Sequence, residues 1–241
     1  MILYSFRRCP YAMRARLGLH LSALNPDVRE IELRNKPEAM LAVSPKGTVP
    51  VLVINAHHDV SAGESEDKST NRAENILEES LDIARFSLSN YPDKCSEYLC
   101  GNAYISLLES LDDESTEKLI SKNDIEFKPW LDKYKYADRH PEFDEIYYRD
   151  RACEFIQCLE EHLTDKNQLM ADTPTFADFA IFPFIRQFAH VNKSWFEQSP
   201  YQHVRRWLTA HMESELFKAV MMKYPLWLDD TNKQTRLKSD S

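Results

Sequence analysis

A cysteine followed by proline stands where a strand signal gives way to a helix signal, and this placement constrains the chain more than any other feature. Met1-Ile2-Leu3-Tyr4-Ser5-Phe6 is a short apolar run that reads as a strand, and Met13 to Leu21 has helical apolar spacing. Pro10 falls at or near the first helical position, where its fixed φ and missing N–H do no harm. The Cys9 sulfur is therefore expected among the unpaired N–H groups and positive dipole end of a helix N-terminus. A thiol in that setting is biased toward thiolate, the form that attacks. A buried structural cysteine is the bland alternative, but strand–Cys-Pro–helix is a specific arrangement for a nucleophile.

The first ninety residues mix strand and helix signals. Val28 to Leu33 alternates apolar and polar residues, the period of a half-buried strand, and Lys36 to Val43 has helical character. A turn at Ser44-Pro45-Lys46-Gly47-Thr48 leads into a strand over Val49 to Ile54. Proline cannot donate to a central ladder, so Pro50 is expected at a strand entrance or against a ligand. Residues 57–75 are polar and charged and read as a surface insertion. Ile76-Leu77 resumes as a short strand, and Glu79-Ser80 opens another helix. The expected organisation is an α/β domain over 1–88, a linker over 89–96, an all-helical domain over 97–229 and a frayed tail over 230–241. In the helical part, Tyr104, Leu107, Leu108 and Leu111 form one stripe, and Ala152, Phe155, Ile156, Leu159 and Leu163 another. Thr175-Phe176-Ala177-Asp178 reads as a capping box before a buried helix that contains Pro183, where a kink is expected.

Composition excludes several classes. A net charge of −9 argues against nucleic-acid binding through a broad basic face. The only four glycines, Gly18, Gly47, Gly63 and Gly101, cannot build a phosphate loop of the dinucleotide or P-loop type. No apolar run is long enough to span a bilayer, and Arg7 and Arg8 interrupt the apolar start too soon for a secretory leader. The five cysteines, 9, 95, 100, 153 and 158, have no disulfide-framework spacing. A cytoplasmic location is expected, without nucleic-acid or membrane partners. No metal is expected either, because the adjacent pair His57-His58 cannot close a site alone.

Together these pieces resemble a cysteine-type glutathione S-transferase, with omega-class enzymes and two-domain glutaredoxins as the nearest subtypes. Four features carry the resemblance in order and spacing: Cys9-Pro10-Tyr11-Ala12, Gly47-Thr48-Val49-Pro50, Glu79-Ser80, and Thr175-Phe176-Ala177-Asp178. It implies an N-terminal thioredoxin-like domain followed by a C-terminal helical bundle, with Cys9 as the catalytic residue and glutathione as co-substrate. Val49 would offer its backbone to the cysteinyl part of glutathione, and Pro50 would be the family's cis-proline. Glu79 and Ser80 would hold the γ-glutamyl end, and Lys46 would meet the glycyl carboxylate or remain a solvated turn lysine. Thr175 and Asp178 match a buried folding element with no catalytic role.

Ala12 stands where dithiol glutaredoxins have a second cysteine, so a two-cysteine cycle at this site is excluded. A monothiol route through a mixed disulfide with glutathione remains, giving deglutathionylation or dehydroascorbate-type reduction. A low-pKa sulfur gains little in attack, because nucleophilicity falls with pKa, but it leaves well from a mixed disulfide. The alternatives are a conjugating glutathione S-transferase and a non-catalytic scaffold with the transferase fold. The second substrate, a small electrophile or disulfide, is expected between the two domains. Tyr104, Trp130 and Tyr134 are available to line that cleft, although such a stripe is more often core. The sequence leaves monomer and homodimer both open.

Overall fold

The computed structural model describes residues 1–54, 76–91, 93 and 96–228. The expected insertion at 57–75 and tail at 230–241 lie outside the described residues, as does His57-His58. Two compact units are present: Met1–Asn90 together with the chain from Val220, and Tyr91–Ala219.

The first unit is built on a four-stranded sheet in the order β2-β1-β3-β4. Strand β1 (Ile2–Ser5) pairs parallel with β2 (Asp27–Glu30) across α1 (Pro10–Leu21). It pairs antiparallel with β3 (Val51–Val53), which in turn pairs antiparallel with β4 (Ile76–Leu77). Helix α2 (Glu38–Val43) lies between β2 and β3 in sequence, and α3 (Ser80–Asn90) follows β4. This is a thioredoxin-like sheet domain.

The strands are shorter than their hydrophobic patterns, for local reasons. Pairing between β1 and β2 ends at Ser5↔Glu30 because β1 turns there toward Cys9. Strand β3 begins at Val51 because Pro50 has no N–H to give a ladder. Alternation along β1 sorts the core into two layers. Leu3 packs with Ala15, Leu19, Leu52 and Ile83 on one face, and Tyr4 with Ile31, Met40, Val49 and Val51 on the other.

Helices α1 and α3 meet at Gly18. A Cβ there would lie 2.6 Å from the Ala84 Cα, so only glycine permits this approach. The contact fixes the start of α3 relative to the start of α1. The chain from Val220 joins this unit because Leu226 bridges Glu30 in parallel and the Trp227 N–H donates to the Glu30 carbonyl at 2.8 Å.

The second unit is helical. It comprises α4 (Gly101–Glu109), α5 (Glu114–Ser121), α6 (Lys128–Lys135), α7 (Glu145–His162), α8 (Phe176–Ala189), α9 (Lys193–Gln198), α10 (Gln202–Glu213) and most of α11 (Glu215–Val220). The Ala152, Phe155, Ile156, Leu159 and Leu163 stripe is buried. A π-helical turn at Lys122–Phe127 joins α5 to α6 and has no counterpart in the sequence pattern. Helix α8 is nearly all buried and continues as helix through Pro183. Its start is the reciprocal capping box of Thr175 and Asp178. Asp178 is fully buried and also accepts from the Leu169 N–H at 2.8 Å and from Trp207 Nε1 at 2.9 Å. One carboxylate thereby joins the loop before α8, the start of α8 and the middle of α10.

Candidate functional site

Cys9 is the N-cap of α1, with extended backbone at φ −74° and ψ 125°, and Pro10 occupies the first helical turn. Its N–H donates to the Phe6 carbonyl at 2.9 Å, which closes the turn leaving β1. The side chain makes no cap hydrogen bond. The sulfur instead lies 3.8 Å from the Val49 carbonyl oxygen, within reach of an S–H donor. The Val49-Pro50 peptide bond is cis. Cys9, Val49 and Pro50, forty residues apart in sequence, are thus brought to one place by the pairing of β1 with β3.

The remaining expected residues lie on the turn after α2 and at the start of α3. Gly47 adopts φ +64°, the left-handed conformation that turns the chain just after Lys46. Lys46 Nζ forms an ion pair with Glu79 Oε1, and both side chains are about half exposed. Ser80 is buried, and its hydroxyl accepts from Arg14 Nη1 at 3.4 Å. The neighbouring Ser44 hydroxyl donates to Glu78.

Sequence reasoning missed that Arg14 and Arg16, on the helix that begins at the cysteine, are buried. Arg14 is 1% exposed and Arg16 is 2% exposed. The available signal was the composition of α1, whose apolar residues leave no broad polar face. Arg16 Nη2 donates to the Arg7 carbonyl at 2.7 Å, and the Arg7 N–H donates to Glu30 Oε1 at 2.7 Å. Burial brings the Arg16 guanidinium down to about 10, opposed by the nearby Glu30 and Cys9, so it stays charged at neutral pH.

The other described cysteines differ in setting. Burial pushes the Cys153 thiol up to about 11, which keeps it protonated at neutral pH. Cys100 is exposed, and Cys158 is half-buried. Tyr104 and Tyr134 are core residues, and burial pushes the Tyr134 hydroxyl up to about 12. Among the described residues no group of three or more His, Cys, Asp or Glu side chains could hold a metal ion. No helix among them is long and apolar enough to cross a membrane.

Residues 3–95 match the family model for the glutathione S-transferase N-terminal domain, and residues 130–210 match that for its C-terminal domain. The chain belongs to the glutathione S-transferase family. It is 25% identical over 224 residues to glutathione S-transferase omega-1 of Sus scrofa, covering 92% of this chain and 76% of that relative. The fold superposes on a glutathione transferase family member from Pseudomonas fluorescens with two glutathione bound, at a TM-score of 0.68 and 17% identity over 91% of each chain. Glutathione transferase Omega 2C from Trametes versicolor gives a TM-score of 0.64 at 18% identity, covering 99% of this chain and 97% of that one. In this transferase the thioredoxin-like unit carries all six residues expected at the site: Cys9, Lys46, Val49, Pro50, Glu79 and Ser80.

Proposed function

We propose that this glutathione S-transferase family member is a glutathione-dependent thioltransferase with Cys9 as its nucleophile. The observation that carries the reading is the Cys9 sulfur, at the N-cap of α1 and beside the Val49 carbonyl. A sulfur anion there gains from the helix dipole and the unpaired N–H groups of the first turn. Likeness to omega-class relatives supports the same reading.

Glutathione would dock along Val49, its cysteinyl N–H donating to the Val49 carbonyl in the manner of an added strand. That donor takes over the acceptor which the Cys9 S–H reaches at 3.8 Å. Losing its acceptor costs the thiol form and so favours ionisation. Glu79 would pair with the γ-glutamyl ammonium, the Ser80 hydroxyl would donate to the γ-glutamyl carboxylate, and Lys46 would meet the glycyl carboxylate.

The Cys9 thiolate attacks the glutathione sulfur of a mixed disulfide R–S–SG. The new Cys9–S–SG bond forms as the R–S bond to that sulfur breaks, and R–S⁻ leaves to take up a proton. A second glutathione thiolate then attacks the glutathione sulfur of Cys9–S–SG. Glutathione disulfide forms and Cys9 departs as thiolate. Net, R–S–SG and one free glutathione give R–SH and glutathione disulfide, with no second protein thiol required. A reducing, cytoplasmic compartment suits this cycle.

Cys9→Ala should abolish glutathione-dependent reduction of a small glutathionylated disulfide, and intact-mass analysis of the wild type should trap a glutathione adduct on Cys9. Cys9→Ser tests for conjugation to an electrophile instead. Undiminished thioltransferase turnover in Cys9→Ala would end the proposal.

A further inference from the structure

Arg16 is a costly residue to place where it is. The residue is 2% exposed, and of its three guanidinium nitrogens only Nη2 has a hydrogen-bond partner, the Arg7 carbonyl. Nε and Nη1 are buried without one. A buried charge with unused donors is expensive unless a neighbouring anion compensates it. Glu30 supplies one carboxylate, and its Oε2 is likewise buried without a partner while Oε1 accepts from the Arg7 N–H. The Arg7 backbone is therefore held at both ends of the residue, by Arg16 at its carbonyl and by Glu30 at its N–H. Arg7 lies within the turn that closes at Cys9.

We propose that Arg16 and Glu30 form an opposed pair that sets the ionisation of Cys9, with Arg16 as a positioning residue that favours the sulfur anion and Glu30 as its counterweight. The proposal rests on Cys9 being the nucleophile. The groups that act on Arg16 are Glu30 on β2, Cys9 at the start of α1, Tyr224 in the segment after α11 and Arg7 in the turn, and Arg16 in turn acts on His20 in α1. A Cys9 anion and Arg16 stabilise each other, since opposite charges in a poorly solvated site interact more strongly than in water. Glu30 neutralises part of the Arg16 charge, so the two residues should move Cys9 in opposite directions.

The test is the pH profile of Cys9 alkylation by iodoacetamide in the full chain, mapped to Cys9 by mass spectrometry because the exposed Cys100 also reacts. Arg16→Met should raise the inflection by about one pH unit, slowing alkylation below the inflection about threefold, since the loss of thiolate is partly offset by a more nucleophilic sulfur. Arg16→Lys should return it toward the wild-type position. Glu30→Gln keeps an acceptor for the Arg7 N–H and should lower the inflection. Loosening of the turn alone would not give shifts of opposite sign. A folded Arg16→Met with the wild-type inflection, or displacement of both variants in the same direction, overturns the proposal. Where Arg16→Met does not fold, Glu30→Gln decides: a lower inflection supports the pair, and an unchanged or higher one refutes it. A wild-type inflection above pH 8 would instead count against the thioltransferase reading, whatever the variants do.

Discussion

Lys46 and Glu79, thirty-three residues apart, close on each other as an ion pair between the turn after α2 and the start of α3. Both are half exposed, so the pair contributes little stability, about 0–1 kcal/mol. Their importance lies in holding two charges of opposite sign where the proposed ligand carries both. Glu79→Gln should raise KM for glutathione about tenfold or more with kcat little changed, because a charge-assisted hydrogen bond contributes about 1.5–3 kcal/mol. Lys46→Ala should have a smaller effect, since it also releases Glu79 from a competing partner. Steady-state kinetics with glutathione varied will check both, and equal losses would contradict the assignment.

Gly18 offers a test of how the site is framed. An alanine Cβ would meet the Ala84 Cα at 2.6 Å, and backbone cannot yield as a flexible side chain can. Gly18→Ala should destabilise the fold by about 1–3 kcal/mol through overpacking, despite alanine's better helix propensity. Urea unfolding will measure it. Because α1 carries Cys9 and α3 carries Ser80, kcat/KM for glutathione should fall as well.

Much of this was legible in the sequence, because local chemistry dictated it. Pro10 marks the first turn of α1, Pro50 stops β3 short of Val49, and Thr175 with Asp178 announces the start of α8. The rest depends on contacts distant in sequence. The composition of α1 hints that Arg16 is buried, but what compensates it is not local: Glu30 on β2 and the Arg7 carbonyl. The pairing of Leu226 and Trp227 with β2 was equally hidden, because a short isolated segment carries no period that names its partner strand. The π-helical turn at Lys122–Phe127 escaped because helical spacing alone does not separate α from π hydrogen bonding.

His211 should make the helical unit sensitive to acid. It is buried between Phe182, stacked at 5.1 Å, and Trp207, and its Nε2 pairs with Gln168 Oε1 at 2.9 Å. Burial lowers its pKa below the ordinary histidine value, against a smaller opposing effect of Asp178. The unfolded chain therefore binds more protons once pH falls through about 6.5, and stability declines from there toward the lower folded pKa. His211→Gln should be less stable than wild type at pH 7 yet lose less on going to pH 5. The pH dependence will be reduced rather than abolished, because burial shifts His20 and His190 the same way. Urea titrations at several pH values will show it, and identical slopes for the two proteins would refute the assignment.

Trp227 links the end of the described chain to the sheet that carries Cys9. Its N–H donates to the Glu30 carbonyl at 2.8 Å, while its ring lies 4.3 Å from the Arg29 guanidinium carbon and meets the Tyr4 ring edge-on at 5.8 Å. Arg29 Nη1 in turn donates to the Tyr4 hydroxyl at 2.8 Å. The segment thus covers the outer edge of β2, which would otherwise present unpaired backbone groups. Trp227→Ala keeps the backbone bond but removes the ring, losing apolar contact and a cation–π interaction contributing about 0.5–2 kcal/mol. A loss of about 1–3 kcal/mol in unfolding free energy is expected, and Arg29→Ala in the Trp227→Ala background should add less than it does alone. Because Glu30 also holds the Arg7 N–H before Cys9, loosening this edge should reach the site as a shifted Cys9 alkylation profile. Strict additivity of the two substitutions would show that the ring and the guanidinium stabilise β2 independently.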